Sequence, residues 1–518
     1  MRFLLFSSVV LATGLSALAQ QPCANLTNLK LPGVTVKSAV AVPAGPFDLP
    51  GSQGRGGNTV TVSAFCRVLA VADQEVQIEL WMPEQWNRKL LAVGNGGLAG
   101  TISYSAMVRP LARGYAASST DTGHQGAGND GSWALGHYER IVNFADRSTH
   151  LMAQADKAIL RAFYGNRPQH SYFNGCSQGG HEALVEAQRY PNDFDGIIAG
   201  DPANYWTHHY AGGHLYSGIV MDGDGYIPAS KVQMIGDAVN EQCDAMDGVR
   251  DGVLTDPRRC RFDPAKLQCR AGDGPACLTA AQVSSVRKLW TGLRSKDGDE
   301  LYPGLVPGGE AGSGGWANWV TGSEPGRSGH TNLGLPFFKY MVFDDPNWDY
   351  RTFRFDASDG FDSDLDYMDA KLGALFNAIN PNLTPFKARG GKLIQYHGWS
   401  DPDITPLNSI NYYESVTKAM AAGGNNALRE TTQFYRLFMV PGMQHCAGGP
   451  GATTFDMVEA LEQWVEKGIA PQRIVAERRV GGKTERTRPL CPYPQEAVYK
   501  GTGSTDDAAN FSCMIVDQ

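Results

Sequence analysis

Positive charge is scarce in this chain, which carries 45 Lys and Arg against 53 Asp and Glu, a formal net charge of −8 and a pI near 5.8. No run of lysine or arginine offers the basic face that a phosphate backbone needs, so a nucleic-acid partner is not expected. Long apolar runs are missing too. Past the first twenty residues no stretch has the length of a membrane span, and a membrane partner is not expected either. Repeats and low-complexity tracts are absent, and 42% of the 518 residues are hydrophobic, which sets the chain apart from disordered sequences. What remains is a large acidic chain with material for one core plus a second domain or a long insertion.

The first residues have the order of an export signal. Arg2 supplies the positive start, Phe3 to Ala12 the apolar stretch and Ala17-Leu18-Ala19 a small-x-small cleavage site, so residues 1–19 are expected to leave a secreted, extracellular chain beginning near Gln20. Ser7, Ser8, Thr13 and Gly14 interrupt the run and argue against an anchor. Ten cysteines in an exported chain predict five disulfides. Short loops suggest Cys243 with Cys260, Cys269 with Cys277 and Cys491 with Cys513, and Cys23 and Cys66 belong to the same disulfide-bonded set. Asn25, Asn382 and Asn510 stand in N-x-[ST] sequons, glycosylation sites if the secretory route is eukaryotic.

Residues 60–83 alternate apolar and polar as strands do, and Lys89 to Val93 is a short apolar run of the buried-strand kind, followed by Gly94-Asn95-Gly96-Gly97. Helical periodicity covers Ser148 to Phe163, and His170 to Asn174 reads as a further strand. Strand, glycine turn, helix and strand in this order predict a doubly wound α/β sheet. The alternation stops after Asp201-Pro202 and resumes at Lys392 to Gly398. Residues 204–390, rich in Trp, Gly, Asp and Cys, therefore read as an inserted lid domain, with 20–203 and 391–518 forming the core.

Gly175-Cys176-Ser177-Gln178-Gly179 matches G-x-S-x-G, with a strand before it and helical Gly180 to Ala187 after it. In that context the serine is expected on a sharp turn as a nucleophile. A hydroxyl needs a base, and the base needs a carboxylate to hold its tautomer. The chain order Ser, acid, His then points to Asp401, in Gly398-Trp399-Ser400-Asp401-Pro402 after a late strand, and to His445, after the apolar run Leu437 to Val440. Asp403 competes with Asp401, and His397 with His445. The cysteines favour His445, because Cys176 precedes the proposed nucleophile and Cys446 follows the proposed base. A meeting of Ser177 with His445 brings the two sulfurs into bonding range, which predicts a Cys176–Cys446 disulfide. The backbone N–H of Gln178, with that of Gly96 or Gly97, is expected to form the oxyanion hole.

Together, Gly-Cys-Ser-x-Gly-Gly, Gly-Trp-x-Asp and Gly-x-x-His-Cys resemble the tannase and feruloyl esterase family across Cys23 to Cys513. The resemblance implies an α/β-hydrolase core with a lid, esterase action on phenolic acid esters, and a calcium site in the lid. It supports Ser177, Asp401, His445 and the Cys176–Cys446 bridge. Gln178-Gly179-Gly180-His181 departs somewhat from commoner members and leaves the acyl preference open. Calcium would fall on Asp244, Asp247 and Asp251 with the carbonyls of Val249 and Val253, hard oxygen donors in a glycine-punctuated loop. Asp222-Gly223-Asp224-Gly225 reads as a turn. No organic cofactor is expected. The first choice of substrate is a feruloyl ester of plant cell-wall polysaccharide such as xylan, or a small feruloylated oligosaccharide. Galloyl esters come second, and a secreted binding protein without turnover is the alternative from another class.

Overall fold

The computed structural model describes residues 21–51, 58–357, 363–421 and 426–516, so the expected export signal lies outside the described residues. Nine strands form the central sheet: β1 Val34–Val42, β2 Phe65–Ala72, β3 Val76–Pro83, β4 Lys89–Val93, β5 Ala116–Thr120, β6 His170–Cys176, β7 Gly196–Gly200, β8 Lys392–Gly398 and β9 Tyr435–Val440. Their spatial order is β1-β2-β3-β5-β4-β6-β7-β8-β9. From β5 to β9 every neighbouring pair is parallel. The strands β5, β7 and β9 are buried at every residue, as strands covered on both faces should be, although β5 ends in Ser118-Ser119-Thr120 and β9 carries Arg436.

The beginning of the sheet corrects the doubly wound expectation. β1, β2, β3 and β5 pair antiparallel. The cause is local: only Asp73-Gln74-Glu75 separates β2 from β3, and positive φ at Asp73 and Gln74 folds the chain straight back. A parallel pairing would need a crossover of a dozen residues or more.

Five helices flank the sheet: α1 Tyr104–Ala112, α2 Ser148–Tyr164, α3 Gln178–Arg189, α4 Pro406–Met420 and α5 Met457–Lys467. Met152, Ile159, Leu184, Ile410 and Val416 carry α2, α3 and α4 into one apolar layer with β2, β3 and β8. Met457, Leu461 and Trp464 of α5 pack with Leu91, Tyr172, Ile198 and Phe438 on the opposite face. Loops leaving the carboxyl ends of β4, β6, β7, β8 and β9 thus gather at one edge of the sheet, where open α/β sheets bind ligands.

The chain between β7 and β8 contributes to two apolar clusters, one around Trp206, Tyr210, Phe337 and Phe376 that also takes in Leu98, Trp133 and Phe144 from before β6, and another around Val232, Val286 and Trp316. All five disulfides are present: Cys23–Cys66, Cys176–Cys446, Cys243–Cys260, Cys269–Cys277 and Cys491–Cys513. Asn25 and Asn382 are exposed. Asn510 is half-buried, and its Nδ2, the atom a glycan would take, donates to Ser504 O at 2.9 Å. Among the described residues no helix is long and apolar enough to cross a membrane.

Candidate active site

Ser177 stands where β6 passes into α3, at φ 64° and ψ −120°, a conformation that an L-residue holds only when its surroundings enforce it. Close approach of strand and helix enforces it. A Cβ on Gly175 would fall 2.3 Å from the Gly179 carbonyl oxygen, and one on Gly180 would fall 2.3 Å from that of Gly200. Ser177 N donates to Gly200 O, and Ser177 O accepts from His181 N, both at 3.0 Å. Its half-buried side chain makes no hydrogen bond within the described residues, so the hydroxyl is available to a substrate.

Asp401, in the loop after β8, has a buried carboxylate whose Oδ2 accepts from His445 Nδ1 at 2.8 Å. Its Oδ1 accepts from the backbone N–H groups of Asp403 at 2.8 Å and Ile404 at 3.0 Å, which fix the rotation of the group. Burial favours the neutral acid, but the facing imidazoles of His445 and His397 outweigh it and hold the carboxyl below the usual carboxylate range. His445, from the loop after β9, is shifted the other way: burial opposes the imidazolium, and the carboxylates of Asp401 and Asp403 overcome that opposition. The Cys176–Cys446 bridge, with its Cα atoms 6.0 Å apart, ties the residue before Ser177 to the residue after His445. No hydrogen bond joins Ser177 to His445 Nε2 among the described residues. Such contacts commonly tighten only when substrate binds.

The two rivals have other positions. His397 is buried, with Nδ1 hydrogen-bonded to Ser409 Oγ at 2.6 Å and Nε2 to Ile404 O at 2.9 Å, so both nitrogens are committed to holding the loop. Asp403 faces the far side of the same imidazole, with Oδ2 3.4 Å from His445 Nε2 and Oδ1 accepting from His214 Nε2 at 2.8 Å.

Asp201 was not singled out by the sequence. It lies at the end of β7 at φ 34°, fully buried; Oδ1 accepts from Gly398 N at 2.9 Å and Oδ2 from Cys446 N. One carboxylate thus pins both the loop of the acid and the loop of the base. The signal available was an aspartate closing the apolar run Gly196 to Gly200. Trp319 was missed as well; its ring stands edge-on to His445 with centroids 5.3 Å apart, so the inserted segment forms one wall of the site.

The N–H groups of Gln178, Gly96 and Gly97 donate to no acceptor among the described residues, as an oxyanion hole requires. Gly97 folds the turn at φ 59°, where a Cβ would fall 2.3 Å from the Gly128 carbonyl oxygen, while Gly96 is open on its Cβ side.

The acidic loop belongs to the chain between β7 and β8. Asp244 Oδ1 accepts from the N–H groups of Asp251, Gly252 and Val253, and Asp247 accepts from Val249 N and Thr255 Oγ1. Asp251 Oδ2 pairs with Arg488 and Arg486. Asp244 Oδ2, Asp251 Oδ1 and the carbonyls of Val249 and Val253 accept no hydrogen bond among the described residues. The uncommitted hard oxygens suit calcium in chemistry. The carboxylates of Asp244, Asp247 and Asp251 do not form a group of three with side-chain ligand atoms all within 4.8 Å of one another, whereas Asp201, Asp401 and His445 at the catalytic edge do. Asp222 precedes a short helical turn, Gly223–Gly225, that contains Asp224, and Asp222 Oδ2 accepts from Tyr350 Oη.

The family model described as tannase and feruloyl esterase matches residues 60–514. An uncharacterized esterase of Xanthomonas campestris pv. campestris is 39% identical, over 96% of this chain and 92% of its own length. A probable feruloyl esterase B-2 of Aspergillus terreus is 32% identical, over 98% of each chain. The crystal structure of feruloyl esterase B from Aspergillus oryzae superposes with a TM-score of 0.84 at 28% identity, covering 95% of this chain and 99% of that one. The chain belongs to the tannase and feruloyl esterase family and is a carboxylic ester hydrolase with an α/β-hydrolase fold.

Proposed function

We propose that the protein is a secreted serine esterase that cleaves phenolic acid esters, first of all feruloyl groups on plant cell-wall polysaccharide such as xylan. The observation that carries the mechanism is the His445 Nδ1 to Asp401 contact at 2.8 Å on a loop bonded through Cys446 to the residue before Ser177. Asp401 keeps Nδ1 protonated, which leaves Nε2 to accept the Ser177 proton as Oγ attacks the ester carbonyl carbon. The negative oxygen that forms is met by the N–H groups of Gln178 and of Gly96 or Gly97; each such donor contributes about 3 kcal/mol. Collapse breaks the bond to the alcohol, which leaves with the proton from Nε2. Water then attacks the acyl-enzyme, gives its proton to Nε2, and the acid departs as Ser177 regains its hydrogen.

Residues 204–390 act as the lid in this reading, with Trp319 beside His445 as an apolar wall for a phenolic ring. The similarity to a probable feruloyl esterase B-2 and to feruloyl esterase B supports feruloyl esters, and membership of a family that includes tannases keeps galloyl esters as the second choice. Turnover of methyl ferulate against methyl gallate decides between them, and a strong preference for gallate overturns the first choice. We also propose structural calcium held by Asp244, Asp247, Asp251 and the carbonyls of Val249 and Val253. Chelation is then expected to lower Tm, and a Tm unmoved by chelator contradicts it.

A further inference from the structure

The two halves of the proposed oxyanion hole come from different elements, Gln178 from α3 and Gly96–Gly97 from the turn after β4. Glu182, one helical turn beyond Gln178, reaches that turn: its Oε2 accepts from Asn95 N at 3.2 Å. Asn95 O in turn accepts from Gly179 N at 2.8 Å, and Asn95 Nδ2 donates to Thr101 O at 2.7 Å and Thr120 O at 2.8 Å. Helix and turn are therefore clasped by two hydrogen bonds of opposite direction.

The charge state of the clasp follows from its surroundings. Glu182 is 4% exposed, and no Lys, Arg or His among the described residues pairs with it. The nearby titratable group along the helix is Glu186, another buried acid. Two acceptor atoms here are buried without any donor, Oε1 of Glu182 and Oε1 of Gln178, an arrangement costly for both. The two side chains interact one turn apart on the same face of α3. With Glu182 ionised its orphaned Oε1 would be a buried charge without a donor, and a single proton on the carboxyl removes that charge. Burial, opposed by the contacts from Asn95 and Gln178, pushes the carboxyl up to about 8.

We propose that Glu182 works as a neutral carboxylic acid, a positioning residue that clasps the Gly94–Gly97 turn to the Gln178 end of α3 and so holds the two oxyanion donors in register. The proposal rests on the serine-esterase reading above. Loss of the proton places a buried, uncompensated negative charge beside the Gly94–Gly97 turn, against the oxyanion that must form there, so only the protonated form is fully active.

The test is kcat and KM of wild type, Glu182→Gln and Glu182→Leu from mildly acid to alkaline pH. Wild-type kcat is expected to fall as pH rises through about 8. In Glu182→Gln the amide oxygen still accepts from Asn95 N and the side chain cannot ionise, so that alkaline limb disappears and kcat at neutral pH stays within about threefold. Glu182→Leu, which cannot accept from Asn95 N, is expected to lose about a hundredfold in kcat with little change in KM. A Glu182→Gln enzyme that keeps the alkaline limb, or is as impaired as the leucine variant, overturns the proposal. The glutamine profile decides by itself if the leucine variant does not fold. Activity surviving in Ser177→Ala would instead overturn the esterase mechanism, so the two failures are distinguishable.

Discussion

The turn at Ser177 and the acidic loop at 244–253 are both punctuated by glycine, yet the glycines answer different demands. At Ser177 a Cβ on Gly175 or Gly180 would run into backbone at 2.3 Å, because strands and helix from distant parts of the chain meet there. In the acidic loop Gly248 and Gly252 have positive φ, 86° and 77°, and open space around them. The first pair is needed for packing, the second only for a local turn. A motif shaped by packing announces a site built from many chain segments, whereas one shaped by a turn says little about what lies opposite it.

The comparison yields predictions of decreasing size. Ser177→Ala should cost on the order of 10⁶ in kcat with the fold intact, by analogy with another serine hydrolase; a loss of less than a hundredfold would place the nucleophile elsewhere. Asp401→Asn should cost roughly 10⁴, because His445 is then free to adopt the wrong tautomer. Asp403→Asn should leave far more activity, which separates the two aspartates by steady-state kinetics. Gly180→Ala should prevent a soluble, active product, whereas Gly248→Ala should lower stability by only about 1 to 2 kcal/mol in urea unfolding. Equal effects at the two glycines would erase the distinction drawn above.

The smallest effect concerns pH. Activity needs neutral His445, and Asp401 and Asp403 favour its protonated form against burial, so the acid limb of kcat/KM should lie above the ordinary histidine value of about 6.5. Asp403→Asn removes one of these charges, and the acid limb should move to lower pH. A limb that stays in place would mean that Asp403 does not act on the imidazole.

Much of this edge was legible in the sequence because its parts are local. An apolar strand followed by Gly-x-Ser-x-Gly, or by an aspartate or histidine loop, carries its own context, and the cysteines beside Ser177 and His445 linked two such segments 270 residues apart. What stayed hidden depends on contacts between distant segments. Asp201 looks like any residue after a strand until Gly398 and Cys446 are seen donating to it. Arg486 and Arg488, which face Asp251 from the hairpin at 474–490, could not be placed beside the acidic loop by spacing. The antiparallel start of the sheet was implied by the three-residue turn at 73–75, but alternation by itself does not set strand direction.

Labelling with a fluorophosphonate probe, followed by peptide mapping, tests the catalytic assignment most directly. A single adduct on the peptide carrying Ser177, lost in His445→Ala, is the result predicted. An adduct on another serine, or none in folded wild-type protein, would contradict it.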